Sequence, residues 1–289
     1  LTDLHACEPW MPVERIRQIV ARTNAIGPDA VLLPGDFVVS HRIGKISGHV
    51  DHDDWARELA RLEAPLGRHA VLGNHDWWES LVVQRARNRT ARVAVAQALD
   101  RVGIPVYQND AVRLTKDGQP FWIAGLGDQW AFWPRKENYQ RFVKGGKIGY
   151  EGVDDLPGTL AKITDDAPVI LMAHEPDIFP HVPARVALTL SGHTHGGQIN
   201  LAGYTPVVPS RYGNRYVYGH IVEENRNLIV SGGLGISGFP IRFGVPDAAG
   251  GPPAGKIARG EGGGCRRRLR QRQQLLGRLQ APAWPAPRP

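Results

Sequence analysis

His69-Ala70-Val71-Leu72-Gly73-Asn74-His75-Asp76 reads as a short buried strand that stops at a glycine and runs straight into polar side chains. Ala30-Val31-Leu32-Leu33 does the same before Gly35-Asp36. Apolar runs this short, bounded by turn residues, suit strands covered on both faces. Helical text surrounds them. Residues 12–25 put Ile16, Ile19 and Val20 on one face, with proline at the start and Gly27-Pro28 past the end. Residues 54–62 line up Trp55, Leu59 and Leu62, and residues 90–102 line up Val95, Leu99 and Val102 with Thr90 as N-cap. Strand signals then dominate, at 104–107, 111–115, 121–124, 169–172 and 186–190, with a hairpin pairing 216–222 and 227–230. Strands with helical crossovers, followed mostly by strands, predict an α/β layered sandwich.

The 289 residues suit one large or two small domains, and 42% hydrophobic content rules out wholesale disorder. No apolar run approaches the ~18 residues of a spanning helix. Two cysteines, Cys7 and Cys265, make no disulfide framework, which points to a reducing compartment or to indifference. The net charge of +7 is unevenly placed: residues 248–289 hold nine Lys and Arg against the single acid Glu261, so residues 1–247 hold 26 bases against 27 acids. The chain thus divides into a domain over 1–247 and a basic Gly/Pro/Arg-rich tail over 248–289, whose composition cannot pack a core and is expected to be disordered. Residues 269–279 of the tail would make a basic amphipathic helix suited to anionic lipid or RNA. The chain opens Leu1-Thr2-Asp3-Leu4-His5 without Met, so the expectation is a truncated first strand, no strand to hold Asp3, and an anchor or signal lost upstream.

One pattern recurs. A short apolar strand ends, and Asp, His or Asn follows beside glycine: Asp3 and His5, Asp36, Asn74 and His75, His174, then His193 and His195. Open α/β sheets place their sites at strand carboxyl ends, where the rigid strand fixes the first loop residue. In extended backbone, residues i and i+2 point to one side, so Asp3-x-His5 and His193-x-His195 can each aim two donors at one place. Imidazole, carboxylate and amide donors in this number exceed what one ion needs and fit two.

Asp3-x-His5, Gly35-Asp36, Gly73-Asn74-His75-Asp76, His174 and Gly192-His193-Thr194-His195 resemble, in order and spacing, the motif set of the calcineurin-like metallophosphoesterases. His195-Gly196-Gly197-Gln198 and Ser231-Gly232-Gly233-Leu234-Gly235 resemble its bacterial branch of membrane-associated phosphodiesterases. The resemblance covers about residues 1–246 and implies a four-layer αββα sandwich of two mixed sheets flanked by helices. It assigns Asp3, His5, Asp36 and His195 to one metal, and Asp36 again with Asn74, His174 and His193 to a second. Two divalent ions (Mn²⁺, Fe²⁺ or Zn²⁺) are implied. His75 is implied as a non-ligand above them that donates a proton to the leaving oxygen or stabilises charge on the phosphoryl group, and Asp76 as the group that orients His75. The implied reaction is phosphate-ester hydrolysis by a metal-bridging hydroxide, on phosphodiesters or on pyrophosphate-linked lipids or nucleotides.

Bland readings cover the rest. His41, His49, His52, His69, His181 and His220 are expected to pack or to face solvent. Cys7 is expected near the site entrance without a role. Trp77, Trp78, Trp130, Phe132 and Trp133 divide evenly between core packing and an aromatic rim beside the metals. The rival functions are a nuclease of the same superfamily and a metal-free scaffold on the fold. A balance of −1 over residues 1–247 disfavours a long polyanion, and a scaffold should have lost donors that are all present. The expected partner is a small phosphoester, lipid-linked in one version, with no nucleic acid at the core. Membrane association would run through the tail or the missing N-terminus. The sequence leaves the location open between the cytoplasm and a membrane.

Overall fold

The computed structural model describes residues 1–40, 47–135, 149–201, 204–238 and 240–245. The basic tail, Cys265 and His41 lie outside the described residues. The strands are β1 (Cys7–Glu8), β2 (Val31–Pro34), β3 (Gly48–His49), β4 (Arg68–Val71), β5 (Asp110–Lys116), β6 (Gln119–Gly125), β7 (Val169–Met172), β8 (Val186–Ser191), β9 (Gly219–Glu223) and β10 (Arg226–Val230). The helices are α1 (Val13–Asn24), α2 (His52–Leu59), α3 (Asn74–Trp78), α4 (Leu81–Ala86), α5 (Ala94–Arg101) and α6 (Leu156–Ala161). None of the described helices is long and apolar enough to cross a membrane.

The larger sheet runs β5-β6-β7-β8-β10-β9 and is mixed, with β6, β7, β8 and β10 parallel and an antiparallel strand at each edge. The smaller sheet pairs β2 with β4 in parallel and is widened by the bridges Ala6 to Val38 and Ala70 to Val106. Three apolar clusters follow from the alternation of side chains along the strands. Leu33 and Ala70 face one way, into a core with Ile16 of α1, Trp55 and Leu59 of α2, and Val95 and Leu99 of α5. Leu32 and Val71 face the other way and meet Ile123 and Met172 of the larger sheet. Trp122, Ala124, Val169 and Leu171 then point outward, under Leu156 and Leu160 of α6 and the 3-10 turn Pro176–His181. Helix, sheet, sheet and helix are the four layers of the αββα sandwich.

Several boundaries move for local reasons. α2 starts at His52 because Asp51 accepts the Asp53 N–H at 2.8 Å and caps it. Thr90 is not the cap of α5, which begins at Ala94; its N–H and hydroxyl both donate to Asn88 Oδ1, closing a local turn. The last hairpin begins at Gly219, since Gly213–Tyr216 coils into a 3-10 turn that buries Tyr216. α3 and α4, unforeseen in the sequence, follow directly on the Gly73 turn.

Asp3 was expected to lack support and does not. Leu1 to Ala6 run along β2 and its continuation: the Leu1 amine donates to Leu32 O, Asp3 N–H to Gly35 O (3.0 Å) and His5 N–H to Asp36 O (3.0 Å). On the other flank Gly235 N–H donates to Asp3 O at 2.7 Å, so the segment is held from both sides.

His52 Nε2 meets Glu79 Oε2 at 2.9 Å, tying α2 to the end of α3, and that hydrogen bond raises the His52 pKa against the opposing effect of burial. A raised imidazole pKa stabilises the fold at pH values below the ordinary ~6.5 and ceases to do so as pH climbs through the folded value. The difference in melting temperature between wild type and His52→Gln is therefore expected to be largest near pH 6 and to shrink by pH 9, as scanning calorimetry would show; a gap independent of pH would refute the pairing.

Candidate metal centre

The loops that leave β2, β4, β7, β8 and β10 converge at one end of the two sheets. Asp3, His5, Asp36 and His195 form one buried cluster, and Asp36, His174 and His193 form a second, the donor atoms of each lying within 4.8 Å of one another. Asp36 belongs to both. Its Oδ2 lies 3.4 Å from His5 Nε2 and 3.2 Å from His174 Nε2. Asn74 joins the second group, with Oδ1 2.9 Å from His193 Nδ1. All seven predicted donors are thus brought together.

The backbone reaches this arrangement by a route unlike the expected extended segments. Asp3, His5, Asp36, His193 and His195 have φ of 52°, 47°, 58°, 68° and 52°. The left-handed region costs a non-glycine residue about 1 kcal/mol or more, and such strain gathers at functional sites. It also separates His193 from His195, which serve different clusters instead of one. Gly35 and Gly73 allow the two loops to touch: a Cβ on Gly35 would lie 2.4 Å from Gly73 N, and one on Gly73 would lie 2.3 Å from Asp36 Oδ1.

Protonation shows that the donors suit a cation. His174 Nδ1 donates to Pro34 O at 2.6 Å and His5 Nδ1 donates to Val38 O at 3.1 Å. With those protons committed, Nε2 is the atom that each ring turns toward Asp36. His5 Nε2 also stands 3.0 Å from His195 Nε2. His174 Nε2 is buried without a directed hydrogen bond. Imidazoles whose Nδ1–H is tied to a backbone carbonyl are in the orientation and tautomer that metal ligation needs. Burial holds His193 at about 3 and His195 well below the usual imidazole range, which keeps both neutral. Burial would raise Asp36, yet His174 above all holds it well below the usual carboxylate range, and Asp36 in turn holds His174 well above the usual imidazole range against the effect of burial. The residues therefore fit divalent cations, whose positive charge would meet these lone pairs and carboxylates.

His75 stands beside the clusters as a non-ligand, its ring edge-on to His5 at 4.8 Å, and burial pushes its pKa down to about 3. Asp76 does not orient it. The Asp76 carboxylate accepts backbone N–H groups from Asp36 (3.0 Å), Phe37 (2.8 Å), Val38 (3.3 Å) and Gly73 (2.9 Å). Its place at the third position of α3 turns it back over the Gly73 turn, away from the imidazole. It staples the β2 and β4 loops together. Cys7 is buried outside both clusters, and burial raises its thiol pKa. His69 bonds Tyr107 and His220 bonds Asn227, as ordinary packing and surface histidines do.

The aromatic residues divide. Trp77 and Phe132 are core, packed at 5.8 Å. Trp78, Tyr150 and Trp130 form a stack beside the site, with Trp130 on Tyr150 at 4.2 Å. Its two ends touch His75 (5.2 Å from Trp78) and His193 (4.6 Å from Trp130). Sequence reading missed what holds Trp130 there. Asp128 accepts from Trp130 N–H and Glu175 from Gln129 N–H, and burial raises both carboxyls. Asp128 follows Gly127 at a strand end, the signal used for the other site residues, so it was findable. Ser40 and Ser237, which meet the two ring nitrogens of His75, carried no such signal, and Gln198, signalled in the sequence only by the His195-Gly196-Gly197-Gln198 resemblance, holds Ser237.

Comparison with known proteins agrees with this geometry. Residues 1–197 match the family model described as calcineurin-like phosphoesterase. The chain is 28% identical over 244 residues to metallophosphoesterase YkuE of Bacillus subtilis, covering 84% of this chain and 73% of that protein. A metallophosphoesterase of Aquifex aeolicus is 28% identical over 246 residues, covering 84% and 78%. Phosphodiesterase YaeI of Escherichia coli is 27% identical over 232 residues, covering 75% and 71%.

Proposed function

The chain belongs to the calcineurin-like phosphoesterase family and is a metal-dependent phosphoric ester hydrolase, and we propose that it uses two divalent cations to cleave small phosphodiesters or pyrophosphate-linked lipids or nucleotides. The observation that carries the reading is the sharing of Asp36 between two buried donor clusters. Asp3, His5, Asp36 and His195 would hold one ion, and Asp36, Asn74, His174 and His193 the other. When bound, such ions supply a water acidic enough to act as nucleophile near neutral pH and neutralise charge on the phosphoryl oxygens. The protein's own residues do the rest. The paired loops fix the donors, the Trp78–Tyr150–Trp130 stack walls one side, and His75 is the neutral ring whose N–H can hydrogen-bond the departing oxygen and stabilise the charge developing there.

Support for a diester comes from the likeness to YaeI, which is named a phosphodiesterase. The balance of 26 bases against 27 acids over residues 1–247 favours a small substrate over a nucleic acid. The test is an assay of metal-stripped protein refilled with Mn²⁺, Zn²⁺ or Fe²⁺ on bis-p-nitrophenyl phosphate and p-nitrophenyl phosphate, with metal content by mass spectrometry. The expected result is two ions per chain and restored cleavage of the diester. Faster cleavage of the monoester would overturn the diester preference, and a single bound ion would overturn the paired centre.

A further inference from the structure

We infer that Ser237, clamped by Gln198 and acting opposite the Ser40 backbone, is a positioning residue that keeps His75 in the tautomer that presents an N–H at Nε2 to the leaving oxygen; this rests on the function proposed above. The Ser40 N–H donates to His75 Nδ1 at 3.3 Å. An Nδ1 that accepts carries no proton, so in the neutral ring the proton is on Nε2. His5 and His174 are fixed the opposite way, with Nδ1–H on backbone carbonyls. Neighbouring imidazoles are thus sorted by the backbone: those whose Nδ1–H is tied to a carbonyl, which leaves Nε2 to face the cluster, and one whose Nδ1 accepts and whose N–H is at Nε2.

Ser237 meets that N–H. Its Oγ lies 3.4 Å from His75 Nε2 and accepts from it. The hydroxyl is in turn held by its own backbone, since Gln198 Oε1 accepts the Ser237 N–H at 2.6 Å and Gln198 Nε2 donates to Ser237 O at 2.7 Å. One primary amide thereby grips both backbone groups of one residue. Glutamate could not, because it has no N–H for the carbonyl. Gln198 sits where it can do this because it ends the turn after His195, with φ of 57° and its carbonyl accepting the Phe243 N–H. The Gly196-Gly197-Gln198 text beside the ligand His195 thereby gains a purpose: it connects a metal-ligating loop to the orientation of the His75 ring.

When a leaving oxygen enters, it takes the place that Ser237 Oγ marks at Nε2. The Nε2–H then donates a hydrogen bond to that oxygen and stabilises the negative charge that gathers on it as the P–O bond breaks, the ring staying neutral and Nδ1 still accepting from Ser40. Such a hydrogen bond matters most where the leaving alcohol is a poor leaving group, because more charge then gathers on its oxygen. Loss of alignment should therefore slow phenyl esters more than p-nitrophenyl esters, whereas general damage would slow both alike.

The test has two arms on the full chain. In metal-free protein with ¹⁵N-labelled histidine, two-bond ¹H–¹⁵N correlation spectra should show His75, assigned by loss of its signal in His75→Gln, with Nε2 protonated and Nδ1 bare. In Mn²⁺-loaded protein, Ser237→Ala and Gln198→Glu should lose about tenfold in kcat on phenyl esters and less than threefold on p-nitrophenyl esters. Ser237→Thr, which keeps the hydroxyl, should restore the wild-type ratio. A protonated Nδ1 in the wild type, or equal losses on both esters, would overturn the inference while leaving the hydrolase intact. A wild type that turns over neither ester with any metal would instead remove the proposed function, and this inference with it.

Discussion

Asp36→Asn is expected to empty both metal positions and to lower turnover by on the order of a thousandfold, about 4 kcal/mol in the barrier. Asparagine has nearly the same shape, so the effect would be one of charge and donor number. The carboxylate stands within 3.4 Å of both His5 and His174 and belongs to both clusters. Its amide replacement offers one neutral oxygen in place of two charged ones. His195→Ala makes the informative contrast, because His195 belongs to the first cluster alone. Metal analysis should show that variant retaining one ion while Asp36→Asn retains less than one. Full occupancy in Asp36→Asn would contradict a shared ligand.

The second large effect is expected at Asp76, in stability. Its carboxylate is buried and accepts N–H groups from Gly73 and from Asp36, Phe37 and Val38. Asp76→Ala would leave those donors without a partner where water cannot reach them. Each unsatisfied buried donor costs about 1–3 kcal/mol, although the loops can relax. A total of about 4 kcal/mol is reasonable, and for a domain of this size that lowers the melting temperature by roughly 8–16 °C. Thermal unfolding monitored by circular dichroism would measure it. Had Asp76 served to orient His75, as the motif resemblance implied, the variant would melt near the wild type and lose only turnover. A large fall in melting temperature separates the two roles.

The layered fold was legible because its cues are local. Ala30 to Leu33 and His69 to Leu72 are short apolar runs ending at glycine, and the stripes of Ile16, Ile19 and Val20 and of Val95 and Leu99 have helical period. The alternation that sends Leu33 to the helices and Leu32 to the second sheet is the same property seen in three dimensions. Boundaries were less legible. Asp51 out-competed the predicted start of α2, and Thr90 spent its hydroxyl on Asn88, since capping depends on which neighbour a short polar side chain reaches first.

The sequence by itself determined which residues would gather at the site. Asp3, His5, Asp36, Asn74, His174, His193 and His195 are named by residue type, by adjacent glycines and by their places after strands, all properties of a few consecutive residues. Only the tertiary structure decided what the neighbouring groups do. Whether Asp76 braces the loops or the imidazole, which nitrogen of His75 carries the proton, and that Ser237, held by Gln198, stands beside it depend on contacts between segments far apart in the chain. A hydrogen bond of 3 Å is fixed by the packing of whole elements against one another, and no local spacing of residues encodes it.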